Sequence, residues 1–306
     1  MTVAEFYRDF SDFLSERFPG KKMQKITINA GFTCPNRDGT KGRGGCSYCN
    51  NQSFNPAFAS SSKSVTQQIE DGIRFFSRKY PQMRYLAYFQ AYTNTHGSFE
   101  KIRSIYEEAL AHPLVDGIII GTRPDCMPDE LLDYLSELNR QHFVLVEYGA
   151  ESSHDSTLDL VNRCHHWSDT VDAVNRTAQV NIHVGLHFIL GLPGETDEMI
   201  LQTLKRAALL PIEIIKLHQL QIIKGTRMAK DYEEHLYPIR QFTVEEYIEL
   251  CCKIIDIVPK RISIERFVSQ SPDDLLISPR WGLKNYQFSA LLNRRLCEIH
   301  QDLRQK

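Results

Sequence analysis

Six short apolar runs, at 25–29, 85–90, 117–121, 143–148, 181–190 and 214–221, alternate with longer stretches of helical apolar periodicity. The helical patterns cover 64–79, 98–111, 129–141, 168–179 and 198–209. This alternation constrains the fold more than any other feature, because strands joined through a helix pair in parallel with right-handed crossovers. The class is therefore α/β, and six such strands form either an open sheet or a partial (β/α)6 TIM-like barrel. In both arrangements the chemistry collects beyond the carboxyl ends of the strands. An N-terminal helix is expected within 1–20, the strand–helix core over 21–230 and an α-rich extension, read as a lid, over 231–306. Within that extension 231–236 and 244–258 read as helices, 261–267 as a short strand and 288–303 as an amphipathic helix. A chain of 306 residues is long enough to bury a substantial core.

The segments that follow the strands are polar or glycine-bearing. They are Gln90 to Thr95 after the second run, Thr122 to Asp125 after the third and Glu147 to Ser152 after the fourth. Gly191 to Thr196 follows the fifth run and Lys224 to Thr226 the sixth. After the first run come Cys34, Cys46 and Cys49, with eleven residues between the first pair and two between the second. Three thiolates can hold three irons of a [4Fe–4S] cluster and leave the fourth iron open to another ligand. A catalytic zinc with three ligands uses the same residue types. A structural zinc wants four, and no other Cys or His lies within 40 residues of the trio.

A disulfide framework fits poorly, because three is odd and the N-terminus carries acidic residues without an apolar leader. Eight cysteines with no regular framework suit a reducing cytoplasm. No apolar stretch reaches membrane-spanning length, so no membrane role is expected. The net charge of −2 does not announce a nucleic-acid partner, although a local basic patch would suffice for one.

The strings GFTCPNRDGT (31–40), FQAYTNT (89–95), TRPDC (122–126), LGLPGE (190–195) and KGT (224–226) occur here in fixed order. This ordered set resembles the radical S-adenosylmethionine (SAM) superfamily, in the branch that holds the Elongator catalytic subunit and oxygen-independent coproporphyrinogen oxidase. Most of that family spaces its cysteines C-x3-C-x2-C, so the eleven-residue gap is a departure. It is similar to one bacterial subfamily that acts on the wobble uridine of tRNA, and the likeness is clearest from about residue 20 to residue 230. The resemblance implies a [4Fe–4S] cluster that reductively cleaves SAM to a 5′-deoxyadenosyl radical, with a flavodoxin- or ferredoxin-type electron donor. It also implies a substrate, tRNA, whose 5-carboxymethylaminomethyl-uridine becomes 5-aminomethyl-uridine.

The same resemblance suggests site residues, each with a structural alternative. Cys34, Cys46 and Cys49 would hold the cluster. Tyr48 would pack near adenine or simply anchor the loop. Gln90 and Thr93 stand where relatives receive the SAM amino group, and otherwise form a polar strand end. Glu151 and Arg163 would meet the ribose and the carboxylate of SAM, or else serve as a capping Glu and a helix-surface Arg. Ile189 would lie against adenine. His187 would reach the ribose and His218 the substrate, although a lone His on an apolar strand is as readily a satisfied core residue. Arg123 is a candidate for a substrate carboxylate by charge type.

In the extension, Arg294 and Arg295, with Arg261, Arg266, Arg280 and Lys284, are interleaved with Trp281, Tyr286 and Phe288. That pattern suits RNA or a flipped base, and equally a solvated helix face. Cys126, Cys164, Cys251, Cys252 and Cys297 read as small buried apolar residues. Radical chemistry on a small metabolite or a protein side chain, and a zinc-stabilised RNA-binding protein, are the alternative functions.

Overall fold

A computed structural model describes residues 6–53, 56, 58–78 and 82–304 of the chain. The first five residues of the expected N-terminal helix, and residue 79 of the helix expected over 64–79, lie outside the described residues. In chain order the elements are β1 (Arg8–Asp9), α1 (Phe10–Arg17), β2 (Lys22–Ile28), α2 (Pro35–Asp38), α3 (Val65–Ser77), β3 (Met83–Phe89) and α4 (Phe99–Leu110). There follow β4 (Val115–Thr122), α5 (Asp129–Asn139), β5 (Phe143–Glu151), α6 (Asp155–Leu160), α7 (Trp167–Gln179), β6 (His183–Leu190) and α8 (Asp197–Ala208). The chain ends with β7 (Ile214–Gln219), β8 (Ile222–Ile223), α9 (Arg227–Glu233), α10 (Val244–Ile257), β9 (Ser263–Ile264), β10 (Leu276–Ser278) and α11 (Asn285–Arg304).

Among the described residues, eight strands form one parallel sheet in the order β1-β9-β7-β6-β5-β4-β3-β2, a half-barrel rather than a closed ring. The six expected strands are present in sequence order. The sheet is extended by β9 and β1, each two residues long. The run expected to continue to residue 221 stops at Gln219, and β8 leaves the barrel to pair antiparallel with β10. None of the described helices is long and apolar enough to cross a membrane.

Alternation along each strand divides the protein into two compartments. Outward residues such as Ile26, Phe89, Ile118, Val146 and Leu186 pack against the helical layer in the main core. Inward residues stack in tiers. At the amino-terminal end Leu86, Ile119, Leu145 and Ile214 form an apolar tier, which α1 covers with Phe13 and Leu14, joined by Phe18 just after the helix. That tier closes the bottom of the barrel. One residue pair further along, the inward positions become Tyr88, Glu147 and Lys216. Beyond them lie Gln90, Gly149 and His218, which line a cavity at the carboxyl rim. Two-residue periodicity thus converts six strands into a plug, a charged floor and a site.

The C-terminal segment completes the βα pattern. The helix expected at 231–236 begins earlier, at Arg227, where Thr226 of the KGT string caps it by accepting from the Ala229 N–H (3.1 Å). Helix α10 packs against α8 as the crossover between β7 and β9, and α11 packs on α10. The mouth of the barrel is instead reached by residues 266–271. Trp281 and Phe288 lie inside this layer. Their rings are stacked 6.1 Å apart beside Tyr247, and the Trp281 indole donates to the Phe242 carbonyl (3.0 Å). The aromatic residues interleaved with arginine are therefore split, with Tyr286 exposed and the other two packed into the core.

Gly117 shows how tightly β4 and β5 approach. A Cβ there would stand 2.2 Å from the Phe143 carbonyl oxygen, which is backbone and cannot turn aside. Gly117→Ala is expected to lower stability by about 3 kcal/mol, read as a shifted urea midpoint with an unchanged m-value.

Candidate active site

The cysteine loop explains how an eleven-residue gap can serve one centre. Cys34 caps the short helix α2, and the chain then turns back on itself. The Pro35 carbonyl accepts from the Lys41 and Gly42 N–H groups (2.9 and 3.1 Å), and the Asn36 carbonyl from Gly45 (2.8 Å). Closure is tight. A Cβ on Gly42 would meet Asn36 Oδ1 at 2.3 Å, and one on Gly45 would meet the Arg37 side chain at 2.9 Å. The excursion returns Cys46 to the cavity wall that also carries Cys34 and Cys49. All eight cysteines are free thiols.

N–H groups point at the cavity sulfurs. Asn36 Nδ2 and Arg163 Nη1 lie 3.6 and 3.5 Å from Cys46 Sγ, and Asn51 Nδ2 lies 3.7 Å from Cys49 Sγ. Such donors stabilise ligating thiolates. Burial and the neighbouring Cys46 push the Cys49 thiol up to about 11, so the pocket favours a neutral thiol until a cation is bound. Among the described residues no three His, Cys, Asp or Glu groups are arranged around a single ion. In a cluster each thiolate ligates a different iron. The donor set fits a [4Fe–4S] cluster.

Arg163 lies between this loop and the end of β5. Its Nη2 donates to the Gly149 carbonyl (2.5 Å) and lies 3.4 Å from Glu151 Oε1, while its Nε donates to His165 Nε2 (2.9 Å). A Cβ at Gly149 would stand 2.6 Å from Arg163 Nη2 and 2.7 Å from Glu151 Oε1, so any larger residue there would displace both side chains. The strand bulges between Gly149 and Glu151, and Glu151 takes a left-handed φ of 66°. Burial, then Arg163 and Arg123, depress His165 to about 3, so it accepts from Arg163 as a neutral ring. Tyr48, Gln90, Thr93, His187 and Ile189 line the same cavity. The Gln90–Thr95 turn is fixed from below: Asn94 Nδ2 donates to the Phe89 and Gly121 carbonyls (3.0 and 2.7 Å).

Beneath the cavity lies a charged tier that the apolar strand patterns did not announce. Glu147 is almost fully buried and accepts from Lys25 (3.0 Å), Lys216 (3.2 Å) and His187 (2.7 Å). Glu265 pairs with the same two lysines, at 2.6 and 2.9 Å, and Lys216 also donates to the Tyr88 hydroxyl (2.9 Å). Burial alone would raise the Glu147 carboxyl, yet Lys216, Lys25 and His187 hold it well below the usual range. Two cations and two anions are mutually satisfied.

Other residues fall less centrally. Arg123 lines the cavity and grips Asp125 with two nitrogens (2.9 and 3.0 Å), an acid it shares with Lys41 (2.7 Å), and its Nη1 is buried without a hydrogen-bond partner. Cys126 follows that turn, half-buried, outside the cavity wall. Arg294 is exposed, and Arg295 is paired with Glu249 (2.6 Å) and Glu298 (3.3 Å) on the helical layer; neither lines the cavity.

The sequence did not mark Arg266 and Ser269 as cavity residues. Gln219 and Gln221 pin that stretch to the rim: both donate to the Ser269 carbonyl (3.0 and 3.2 Å), and Gln219 Oε1 accepts the Ser269 N–H (2.7 Å). The alternating glutamines in His218-Gln219-Leu220-Gln221 were the available signal.

Residues 32–207 match the radical SAM superfamily, and residues 212–298 match the radical SAM C-terminal domain. The chain belongs to the radical SAM superfamily. It is 36% identical to the uncharacterized protein YtqA of Bacillus subtilis, over 95% of this chain and 89% of that one. It is 25% identical to a tRNA uridine(34) acetyltransferase of Methanocaldococcus infernus, over 64% of this chain and 35% of that one. Its fold is similar to archaeal M. infernus Elp3, with a TM-score of 0.69 at 16% identity, covering 92% of this chain and 64% of that one. The protein is thus a radical SAM enzyme, with a [4Fe–4S] cluster and SAM as its cofactors.

The turn that closes β6 carries a titratable strut. Burial pushes the Glu195 carboxyl up to about 7, against hydrogen bonds from Ser152 and Thr157. Its folded pKa exceeds the unfolded value, so the stability contribution is complete below pH about 4.5 and is lost as pH rises through about 7. Glu195→Gln should flatten this dependence and raise stability at pH 8 by roughly 3 kcal/mol, measured by denaturant titration across that range.

Proposed function

We propose that this radical SAM enzyme acts on the wobble uridine of tRNA, converting 5-carboxymethylaminomethyl-uridine into 5-aminomethyl-uridine. The N–CH2 carbon of the carboxymethyl group loses a hydrogen atom and an electron, with SAM as the oxidant that ends as 5′-deoxyadenosine and methionine. Water hydrolyses the resulting imine to the free amine and glyoxylate. The supporting observation is a single cavity at the strand carboxyl ends. The cluster cysteines stand on its wall, and polar residues from every central strand surround it. The likeness to a protein named for uridine 34 of tRNA supports the substrate class.

When bound, the cluster and SAM supply hydrogen-atom abstraction from an unactivated C–H bond. The protein's own residues position the partners. Arg163, fixed by the Gly149 carbonyl and neutral His165, presents its guanidinium next to Cys46, where it would hold the SAM carboxylate. Glu151 accepts from the ribose hydroxyls. Tyr48, Ile189, His187, Gln90 and Thr93 line the same cavity, where Tyr48 and Ile189 would flank the adenine, His187 would reach the ribose, and Gln90 and Thr93 would receive the amino group. The apolar plug and the charged floor close the barrel from below, which keeps water from a reactive centre. The target carbon must be brought to that centre, so the base has to enter the cavity rather than be read on the surface.

Mass spectrometry of tRNA nucleosides should show 5-carboxymethylaminomethyl-uridine (or its 2-thio form) accumulating in cells that lack this protein. Unchanged wobble nucleosides would move the substrate to a small metabolite or a protein side chain. Arg163→Ala should weaken SAM binding by roughly 2–3 kcal/mol, by calorimetry on folded, cluster-loaded protein. Unaltered affinity would return Arg163 to a purely structural role.

A further inference from the structure

Across the cavity from the cysteine loop stands a guanidinium whose charge no carboxylate among the described residues offsets. Arg266 follows β9, and its backbone carbonyl accepts from the Leu217 N–H (2.9 Å), so the residue is fixed to the inner edge of β7. Its side chain lines the main cavity and also an adjoining cleft lined by Lys25, Gln90 and Glu265. Glu147 and Glu265, the acids of this tier, are committed to Lys25 and Lys216. Among the described residues, the side chain that Arg266 bonds is His218: Nη2 lies 2.8 Å from Nε2 and 3.2 Å from Nδ1, and donates to whichever of the two is unprotonated in the neutral ring. Its Nε is buried with no hydrogen-bond partner.

A guanidinium left without a counter-ion in such a place costs stability, and that cost is recovered if a ligand supplies the anion. The surrounding histidines do not change the balance. Burial and Arg266 hold His218 well below its usual value, and burial and Lys216 lower His187, so both rings are neutral. Lys25 and Lys216 balance Glu147 and Glu265. At the cysteine end, Arg37 donates to the Cys49 carbonyl (2.7 Å) and so belongs to the cluster loop. Away from that loop, Arg266 is the cavity guanidinium with no carboxylate paired to it among the described residues, whereas Arg123 and Lys41 share Asp125.

We infer that Arg266, held by His218, is the anchor for a singly charged oxyanion on the substrate. If the reading of the substrate above is right, on which this identity rests, the oxyanion is the carboxylate of the carboxymethylaminomethyl group. A guanidinium presents paired donors that match a carboxylate, and the unpartnered Nε supplies one of them. Discrimination then follows from charge. A substrate that carries the carboxylate satisfies Arg266, whereas the product amine lacks it and leaves the guanidinium half-buried and unpaired. The same residue therefore favours release of product.

The test uses two small probes on the cluster-loaded protein, with the melting temperature followed in each titration. N-methylglycine, which carries the amine and carboxylate of the modified base, should raise the melting temperature saturably at millimolar concentration. Arg266→Gln should bind it at least tenfold more weakly, and Arg266→Lys should lie between. Without ligand, Arg266→Gln should melt at or above the wild type, because it removes an uncompensated charge. Inorganic phosphate is the second probe. If phosphate stabilises through Arg266 and N-methylglycine does not, the carboxylate assignment is overturned and the anion is a nucleic-acid phosphate. An equal response of wild type and Arg266→Gln to N-methylglycine, or no response of either, overturns the anchor itself. Unchanged wobble nucleosides on deletion would sink the tRNA reading separately, and the titrations would still decide whether Arg266 binds a carboxylate.

Discussion

Everything in this protein depends on the two-residue periodicity of a curved parallel sheet. A strand in a half-barrel sends alternate side chains to a helical layer and to an interior, and only the interior is shared by all strands. The outward set is apolar and interchangeable in kind. The inward set changes character along the strand, from Leu86, Leu145 and Ile214 at the bottom to Tyr88, Glu147 and Lys216, and then to Gln90, Gly149 and His218 at the top. Helix α1 seals the lower end, so among the described residues the cavity lies toward the carboxyl rim. A one-residue slip of any strand would bury its apolar set in the cavity and drive its charged set into the helical layer.

The charged floor has a structural role with functional consequences. Two lysines and two glutamates in a buried square are costly to desolvate and become tolerable only when each is paired. That mutual pairing fixes β2, β5, β7 and the residue after β9 with respect to one another across the barrel interior. It also commits the acids of the floor away from Arg266, and it keeps His187, in the cavity wall, hydrogen-bonded and neutral. At the rim the logic is repeated on a smaller scale: Asp125 is consumed by Arg123 and Lys41, and Glu151 is shared with Arg163.

Much of the architecture was legible in the sequence. The apolar runs and amphipathic stretches gave the strand–helix alternation, and the polar strings after each strand fall together on one rim because parallel strands point the same way. The cavity wall accordingly gathers Cys34, Cys46, Cys49, Gln90, Thr93, Glu151, Arg163, His187 and His218 from distant parts of the chain. The charged floor was less visible. Lys25 and Lys216 sit at alternate positions of apolar strands, and alternation alone does not say whether a polar face meets solvent or a barrel interior. The extension was harder still. Its two-residue β9 is too short to leave a pattern, yet it places Arg266. The aromatic and basic residues that looked like one surface from 280 to 295 are divided by helical packing, which buries Phe288 in the core, packs Trp281 against it and pairs Arg295 with Glu249.

The central claim is that the three-cysteine loop, despite its long first gap, holds an open-iron cluster beside the residues that receive SAM. The most direct measurement is electron paramagnetic resonance of the anaerobically reconstituted, reduced protein with and without SAM. The arrangement predicts the signal of a reduced [4Fe–4S] cluster whose g-values shift when SAM is added, with both features lost when the three cysteines are replaced by alanine. Stoichiometric zinc with no such signal, or a cluster signal indifferent to SAM, would contradict it.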